Sequence, residues 1–223
     1  PLRVVRDIYA TLGLDGFADA EGAFAAYVAA QRIPEAIFFV VAGGALGAAF
    51  IPLFTGRLAR GETESAWKLA SAVINILLIV LVPLSLLCIL FAPWLVRILV
   101  APALPADTQA QCAALMRVML LSTAIFGVSG VVMGTLNAHQ HFLLPAIAPI
   151  LYNLALIGGG IWGGKTGLGP MGPAIGTVVG AVVHLLIQVP GLVRYSARYW
   201  PIVGHGDPGV VEVGRLMAPR VLG

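Results

Sequence analysis

The stretch "LASAVINILLIVLVPLSLLCIL", Leu69 to Leu90, contains no Asp, Glu, Lys or Arg. An apolar run of about 20 residues is long enough to cross the hydrocarbon core of a bilayer as an α-helix. Further uncharged runs lie on both sides of it, at 36–56, 118–164 and 166–193, and the run at 118–164 is long enough for two passes. The sequence therefore predicts a membrane protein made of helices.

The composition agrees with a membrane location. Only 10% of the residues are charged, against about 25% in a typical soluble domain, and the mean hydropathy is +0.96. The net charge of +3 comes from basic residues scattered in ones and twos, which argues against a nucleic-acid partner because that partner needs a clustered basic face. The two cysteines are isolated and have no ligand spacing, so no disulfide framework, metal site or cofactor is predicted.

We predict one all-α, polytopic helix bundle over residues 1–203, with about six transmembrane helices. The predicted spans are 1–14 (partial), 23–54, 69–90, 113–136, 143–162 and 173–193. Gly172, Gly176 and Gly180 follow a four-residue spacing that lets helix backbones approach closely. Residues 204–223 are predicted to form a loop and the start of a seventh helix. Because the first span lacks its beginning, we interpret the sequence as a fragment of a longer chain.

Basic residues set the predicted orientation. Alternating the sides of successive spans puts Arg57, Arg60, Lys68, Arg194 and Arg198 on one face. Arg97 and Lys165 fall on the opposite face. Because short loops rich in Lys and Arg remain in the cytoplasm, the first face is predicted to be cytoplasmic.

Two charges interrupt the second predicted span, at Arg32 and Glu35. An arginine at the centre of a transmembrane helix costs about 2.5 to 3.5 kcal/mol, so it is a functional-site hypothesis by default. The predicted partners of Arg32 are Glu35, three residues later on the same helix, and an anionic ligand. The alternative is a purely local ion pair, or an arginine that reaches the membrane surface.

Arg6 and Asp7 form a similar pair in the first predicted helix, and Arg3 lies one turn before them. If these arginines converge with Arg32, they form a positive pocket that suits a phosphate or diphosphate group. The alternative is that Arg3 and Arg6 only mark the cytoplasmic end of a span.

The other polar residues in the predicted spans and turns are interpreted mainly as structural and not as ligand-binding residues. His184 and Gln188 lie one turn apart in the sixth predicted span, which favours interhelical hydrogen bonding over a role in a cavity. His139 and His141 are interpreted as a polar interfacial turn, because a spacing of two does not place both rings on one helix face. No HExxH, GxSxG, Walker or Rossmann pattern occurs, so the chain is not predicted to be an enzyme.

Several motifs occur in a characteristic order along nearly the whole chain. They are "RDIYATLG" (6–13), "RIPEAIFFVVAGGALGAAFIPLF" (32–54), "APWLV" (92–96), "LMRVML" (115–120), "GTLNAHQHFLLPAIAPILYN" (134–153) and "GVVEVGRLMAPRVLG" (209–223). In this order they resemble the lipid II flippases of peptidoglycan synthesis (MurJ/MviN), a family within the multidrug, oligosaccharidyl-lipid and polysaccharide exporter superfamily.

The resemblance implies two lobes that open alternately, with this chain as most of the N-terminal lobe and the C-terminal lobe missing. It implies a multi-pass protein of the bacterial cytoplasmic (inner) membrane, in contact with membrane lipids. It also implies a cationic cavity that binds the diphosphate of a lipid-linked substrate, lipid II. The family's cavity arginine corresponds to Arg6, its following acid to Asp7, and the basic residue before the Ile-Pro step to Arg32.

The sequence departs from the family pattern at four positions. Ala25 stands where many members have Asp, Phe38 and Phe39 where they have a double arginine, and Gly43 where they have Glu. These departures leave room for a related substrate. The alternative functions are a polysaccharide-lipid or multidrug exporter of the same superfamily, and a membrane scaffold that transports nothing.

Overall fold

The computed structural model describes residues 20–41, 50–204 and 206–222, with side chains at 22–39, 50–204 and 206–215. Within these ranges the chain forms helices and short connections, without a β-strand. The predicted all-α class is therefore confirmed. The predicted first span, 1–14, lies outside the described residues.

Nine α-helices follow one another in the described ranges. They are α1 (Ala20–Val41), α2 (Ile51–Ala59), α3 (Thr63–Leu90), α4 (Ala92–Leu95), α5 (Ala106–Ala138), α6 (Leu143–Thr166), α7 (Met171–Leu186), α8 (Val189–Arg194) and α9 (Pro208–Leu222). A π-helical turn, Val96–Val100, follows α4 directly. Four segments of the described chain are long and apolar enough to cross a membrane, namely Thr63–Leu90, Ala106–Ala138, Leu143–Thr166 and Met171–Arg194.

A proline follows the break between α3 and α4. Pro93 lies in the first turn of α4, where a helix needs no N–H from that residue. The same missing N–H deprives the carbonyl of Ile89 of its usual donor four residues later. The carbonyl of Ile89 therefore needs a hydrogen-bond donor from outside its own helix.

The described chain divides into two compact units. The first contains residues 20–35, 84–122 and 150–182. In this unit α6 and α7 pack backbone to backbone, because a Cβ added at Gly159 would lie 2.6 Å from the carbonyl oxygen of Gly172 and 2.9 Å from Cα of Gly176. The predicted close packing at Gly172, Gly176 and Gly180 is confirmed.

The second unit contains the described residues of 36–83, 123–149 and 183–222. Its buried core consists mainly of Phe50, Phe54, Trp67, Leu69, Leu77, Leu81 and Val131. The ring of Phe54 meets that of Trp67 edge to face at 5.4 Å between centroids. Val210 and Val213 bring α9 into the same core.

Candidate functional site

Arg32 lies on α1 in the first unit, and its side chain is exposed. Nη1 donates a hydrogen bond of 2.8 Å to the carbonyl of Val100, the last residue of the π-helical turn. The C-terminal end of a helical segment carries partial negative charge, so it favours a guanidinium group. Arg32 and Glu35 form no ion pair. Of the alternatives for Arg32, the local pair is therefore wrong.

Arg3, Arg6 and Asp7 lie outside the described residues. Their convergence with Arg32 stays a prediction.

Further polar side chains lie around Glu35. Tyr27 and Glu35 share one face of α1, because they are eight residues apart. Thr177 of α7 lies beside the hydroxyls of Tyr27 and Tyr152, although Tyr27 Oη has no partner at hydrogen-bond geometry. Glu35 is close enough to act electrostatically on both tyrosines. The first unit thus presents hydrogen-bonding groups beside an exposed arginine and an exposed carboxylate.

Arg117 makes a contact between helices that the sequence interpretation missed. It lies exposed within α5, and its Nε donates a hydrogen bond of 3.1 Å to the carbonyl of Ile89. This is the carbonyl that Pro93 leaves without a helical donor. The signal in the sequence was an arginine inside an otherwise apolar segment, but nothing local showed which carbonyl it would reach.

A buried polar cluster lies in the second unit. Oγ of Ser129, on α5, is 2.7 Å from Nδ1 of His184 and receives a 2.8 Å hydrogen bond from Nε2 of Gln188. Nε2 of Gln188 also donates to the carbonyl of His184 at 2.8 Å. Ser129 and Gln188 are fully buried, and His184 is 7% exposed. The predicted interhelical hydrogen bonding of His184 and Gln188 is confirmed, while Ser129 was missed.

The positions that depart from the family pattern have ordinary apolar surroundings. Ala25 is half-buried, and Phe38 and Phe39 are exposed. The ring of Phe38 meets Phe126 of α5 edge to face at 5.6 Å. Gly43 lies outside the described residues.

The two basic loops of the second unit contact each other. Arg57 is buried, and its guanidinium pairs with both carboxylate oxygens of Asp207, with Nη1 at 2.8 Å from Oδ2. Its Nη1 also donates to the carbonyl of Ser65 at 2.9 Å. Hydrogen bonds from Arg57 hold the pKa of Asp207 below its usual value. Because these contacts join the segments at 57–68 and 194–207, the prediction that both loops share one side is confirmed.

His139 and His141 belong to an aromatic stack. The ring of His139 lies between Tyr195, at 4.2 Å, and Trp67, at 5.8 Å between centroids. His141 meets Tyr195 edge to face. In the described part of the chain, no group of three or more His, Cys, Asp or Glu side chains could hold a metal ion.

Comparisons with known proteins agree with the motif order. The family model described as "Lipid II flippase MurJ" matches residues 19–223. A lipid II flippase MurJ of Burkholderia cenocepacia is 30% identical over 203 residues, which cover 87% of this chain and 39% of that protein. A probable lipid II flippase MurJ of Synechocystis sp. is 28% identical over 213 residues, 88% of this chain and 39% of that protein.

A solved structure shares the fold. It is titled "Lipid II flippase MurJ, inward closed conformation", and it matches with a TM-score of 0.70 at 20% identity, over 98% of this chain and 48% of that one. This chain spans about two-fifths of the length of the Burkholderia and Synechocystis relatives. Because the family model covers residues 19–223, the chain belongs to the MurJ family of lipid II flippases.

Proposed function

We propose that this chain is the N-terminal part of a flippase that moves a lipid-linked peptidoglycan precursor, lipid II, across the bacterial cytoplasmic membrane. The observation that carries the proposal is the family-model match over residues 19–223. Because the relatives are more than twice as long, the activity belongs to a longer protein whose C-terminal lobe is the partner of this part. The protein moves its substrate without making or breaking a bond, so it is not an enzyme.

In this proposal Arg32 contributes to binding the diphosphate of the substrate, together with Arg3 and Arg6. An arginine has five N–H donors, and Arg32 uses Nη1 for the Val100 carbonyl. Among the described residues its Nε and Nη2 groups have no hydrogen-bond partner, so they are available for an anion. Guanidinium groups bind phosphate through paired, charge-assisted hydrogen bonds, which are stronger than neutral ones. The Val100 contact orients Arg32 before the ligand arrives.

Asp7 and Glu35 limit the positive charge of this site. Each lies within three residues of an arginine, so each lowers the local potential that an anion experiences. A site that binds a diphosphate weakly enough to release it on the far side of the membrane needs this balance. Transport then requires that the two orientations of the protein bind the substrate with different free energies.

The experiment is rescue of bacteria depleted of their own lipid II flippase by the full-length protein that carries this chain. We expect the wild type to rescue growth, Arg6→Ala to fail, and Arg32→Gln to reduce rescue, because Gln keeps a donor but loses the charge. Arg97→Gln is the matched control, since Arg97 is exposed and has no polar partner among the described residues.

Two outcomes contradict the proposal. Full rescue by Arg6→Ala and Arg32→Gln would remove both arginines from substrate binding. No rescue by a wild type that reaches the membrane in normal amounts would exclude lipid II, and export of a polysaccharide-lipid or of a drug by the same cells would then identify the alternative exporter.

A further inference from the structure

The chain turns sharply where α8 ends. The N–H of Ser196 donates to the carbonyl of Val193, and the N–H of Ala197 donates to the carbonyl of Leu192. This pair of hydrogen bonds, with a left-handed residue just after the helix, is a common way for a helix to end. Ser196 is that residue, with a φ of 50°. The chain therefore leaves the axis of α8 and continues along α3.

Polar side chains of α3 hold this continuation in place. Oγ of Ser71 accepts a 3.2 Å hydrogen bond from the N–H of Trp200, and Nδ2 of Asn75 donates to the Trp200 carbonyl at 3.1 Å. The hydroxyl of Tyr199 donates to Oδ1 of Asn75. Non-helical backbone close to a membrane needs such partners. The segment 189–202, called the strap below, is thus fixed on the second unit and has a defined outer face.

The inner and outer faces of the strap differ in composition. The inner side chains are apolar or aromatic and pack against the buried core of the second unit; they are Leu192, Tyr195, Ala197, Trp200 and Ile202. The outer side chains are exposed; they are Val193, Arg194, Ser196, Arg198 and Tyr199. Val193 is 73% exposed and Tyr199 is 61% exposed. The outer face therefore combines two arginines with apolar surface.

The two arginines of the outer face, Arg194 and Arg198, form no salt bridge in the described part of the chain. Arg198 is close enough to act electrostatically on Glu64, but Lys68 holds that carboxylate at 2.6 Å. Two further carboxylates of the adjoining loops also have cationic partners, namely Glu62 with Arg60 and Asp207 with Arg57. The strap therefore presents two positive charges that these neighbouring carboxylates do not neutralise.

The position of the strap matches the surface of a bilayer. The candidate membrane span Met171–Arg194 ends within it. Tyrosine is enriched at this depth because its ring is apolar and its hydroxyl is polar. Arginine side chains extend from the apolar region to charged headgroups. A lipid with an anionic headgroup therefore complements the charge of the outer face, and its acyl chains complement Val193. The core of a protein interface is a poorer match, because charged residues are depleted there.

We propose that the outer face of the strap binds anionic phospholipids of the adjacent leaflet, with Arg194 and Arg198 on the phosphate groups and Val193 against the acyl chains. On the predicted orientation this is the cytoplasmic leaflet. Guanidinium groups bind phosphate through charge-assisted hydrogen bonds. Each basic residue near an anionic membrane surface strengthens binding about fivefold, so both together contribute about 25-fold. This binding requires no transport and is independent of the proposed function.

The first test measures by native mass spectrometry how tightly the purified full-length protein binds phosphatidylglycerol and phosphatidylcholine with the same acyl chains. We expect the wild type to bind phosphatidylglycerol more tightly. The double variant Arg194→Gln, Arg198→Gln is expected to lose about 25-fold in affinity for phosphatidylglycerol and to keep its affinity for phosphatidylcholine. The matched control, Arg97→Gln with Lys165→Gln, removes two exposed charges from the opposite predicted face and is expected to keep the tight binding.

The second test locates the binding by hydrogen exchange of the full-length protein in bilayers. We expect the backbone hydrogens of the strap to exchange more slowly in bilayers that contain phosphatidylglycerol than in pure phosphatidylcholine. Salt at about 1 M is expected to reduce the difference, because it screens exposed charges beyond about 3 Å. The double variant is expected to exchange equally in both lipids.

Two results would overturn the proposal. One is equal affinity of phosphatidylglycerol for the wild type and the double variant, or equal exchange of the wild-type strap in both lipids, as a C-terminal lobe covering the strap would produce. The other is binding of soluble polyglutamate through the same arginines without a preference for phosphatidylglycerol, which would assign the face to an acidic protein. If the double variant does not fold, the exchange of the wild type in the two lipids decides.

Discussion

Replacing Gly159 by alanine tests the close contact between α6 and α7. The added Cβ would lie 2.6 Å from the carbonyl oxygen of Gly172 and 2.9 Å from Cα of Gly176. Both are backbone atoms, so neither can rotate away as a flexible side chain can. Ordinary contact for a Cβ begins at 3.4 Å, and the two backbones therefore have to separate by roughly 0.8 Å at this point.

The expected cost follows from this separation. A gap of about 0.5 to 1 Å forfeits a quarter to a half of the attraction at each atomic contact, and extra volume in a packed interface typically costs about 1 to 3 kcal/mol. Alanine itself stabilises a helix interior by about 0.5 to 1 kcal/mol relative to glycine. At Gly158 and Gly160 an added Cβ meets nothing within 4 Å, so those positions receive only the stabilisation.

The assay is the unfolding of the purified full-length protein in detergent, for Gly159→Ala against Gly158→Ala and Gly160→Ala. Because all three variants gain the same helix preference, their difference isolates packing, and we expect Gly159→Ala to be less stable by about 1 to 3 kcal/mol. Equal stability of the three variants would refute the reasoning, since it would mean that α6 and α7 do not approach within backbone contact at this glycine.

Two more predictions concern polar contacts. Asp207→Asn leaves the buried guanidinium of Arg57 without its carboxylate and is expected to destabilise the full-length protein by about 1 to 3 kcal/mol. Hydrogen bonds from Arg57 lower the pKa of Asp207. The wild type is therefore expected to be more stable than Asp207→Asn above about pH 4, and this difference in the free energy of unfolding is expected to shrink as the pH falls through the lowered pKa. Unfolding measured from pH 7 to pH 3 tests this, and a difference that does not change with pH would contradict it. Arg117→Leu leaves the Ile89 carbonyl unpaired and is expected to cost about 1 to 3 kcal/mol more than Arg97→Leu in the same assay, and equal losses would show that the contact contributes nothing.

Hydropathy predicted the class of the fold because apolar runs of membrane length leave few other structures open to the chain. It did not predict where helices end. Thr63 begins α3 six residues before the uncharged run starts, and the ion pair between Glu64 and Lys68, one turn apart, helps to stabilise this polar first part of the helix. The α-helical hydrogen bonds continue through polar residues as easily as through apolar ones, so charge marks the membrane boundary and not the helix boundary.

The candidate site was predictable only in part. His184 and Gln188 stood out because polar residues are rare in an apolar helix, and their spacing put them on one face. Ser129 did not, since serine is common in membrane helices and its partner is 55 residues away. The glycines of α7 were visible as a spacing, whereas Gly159 emerged as their partner only from the packed helices.

Unpaired backbone and side-chain atoms explain why the remaining residues were missed. Pro93 shows in the sequence that the Ile89 carbonyl has lost its helical donor, and in a membrane that carbonyl needs another. The sequence therefore shows that the carbonyl needs a donor. It does not show that the donor is Arg117, because that contact forms only when α5 packs beside α3. Gln188 also has an acceptor that needs a donor, because its buried Oε1 has none in the described part of the chain. The sequence shows the polar side chain in an apolar helix, but it does not show which of its atoms find a partner.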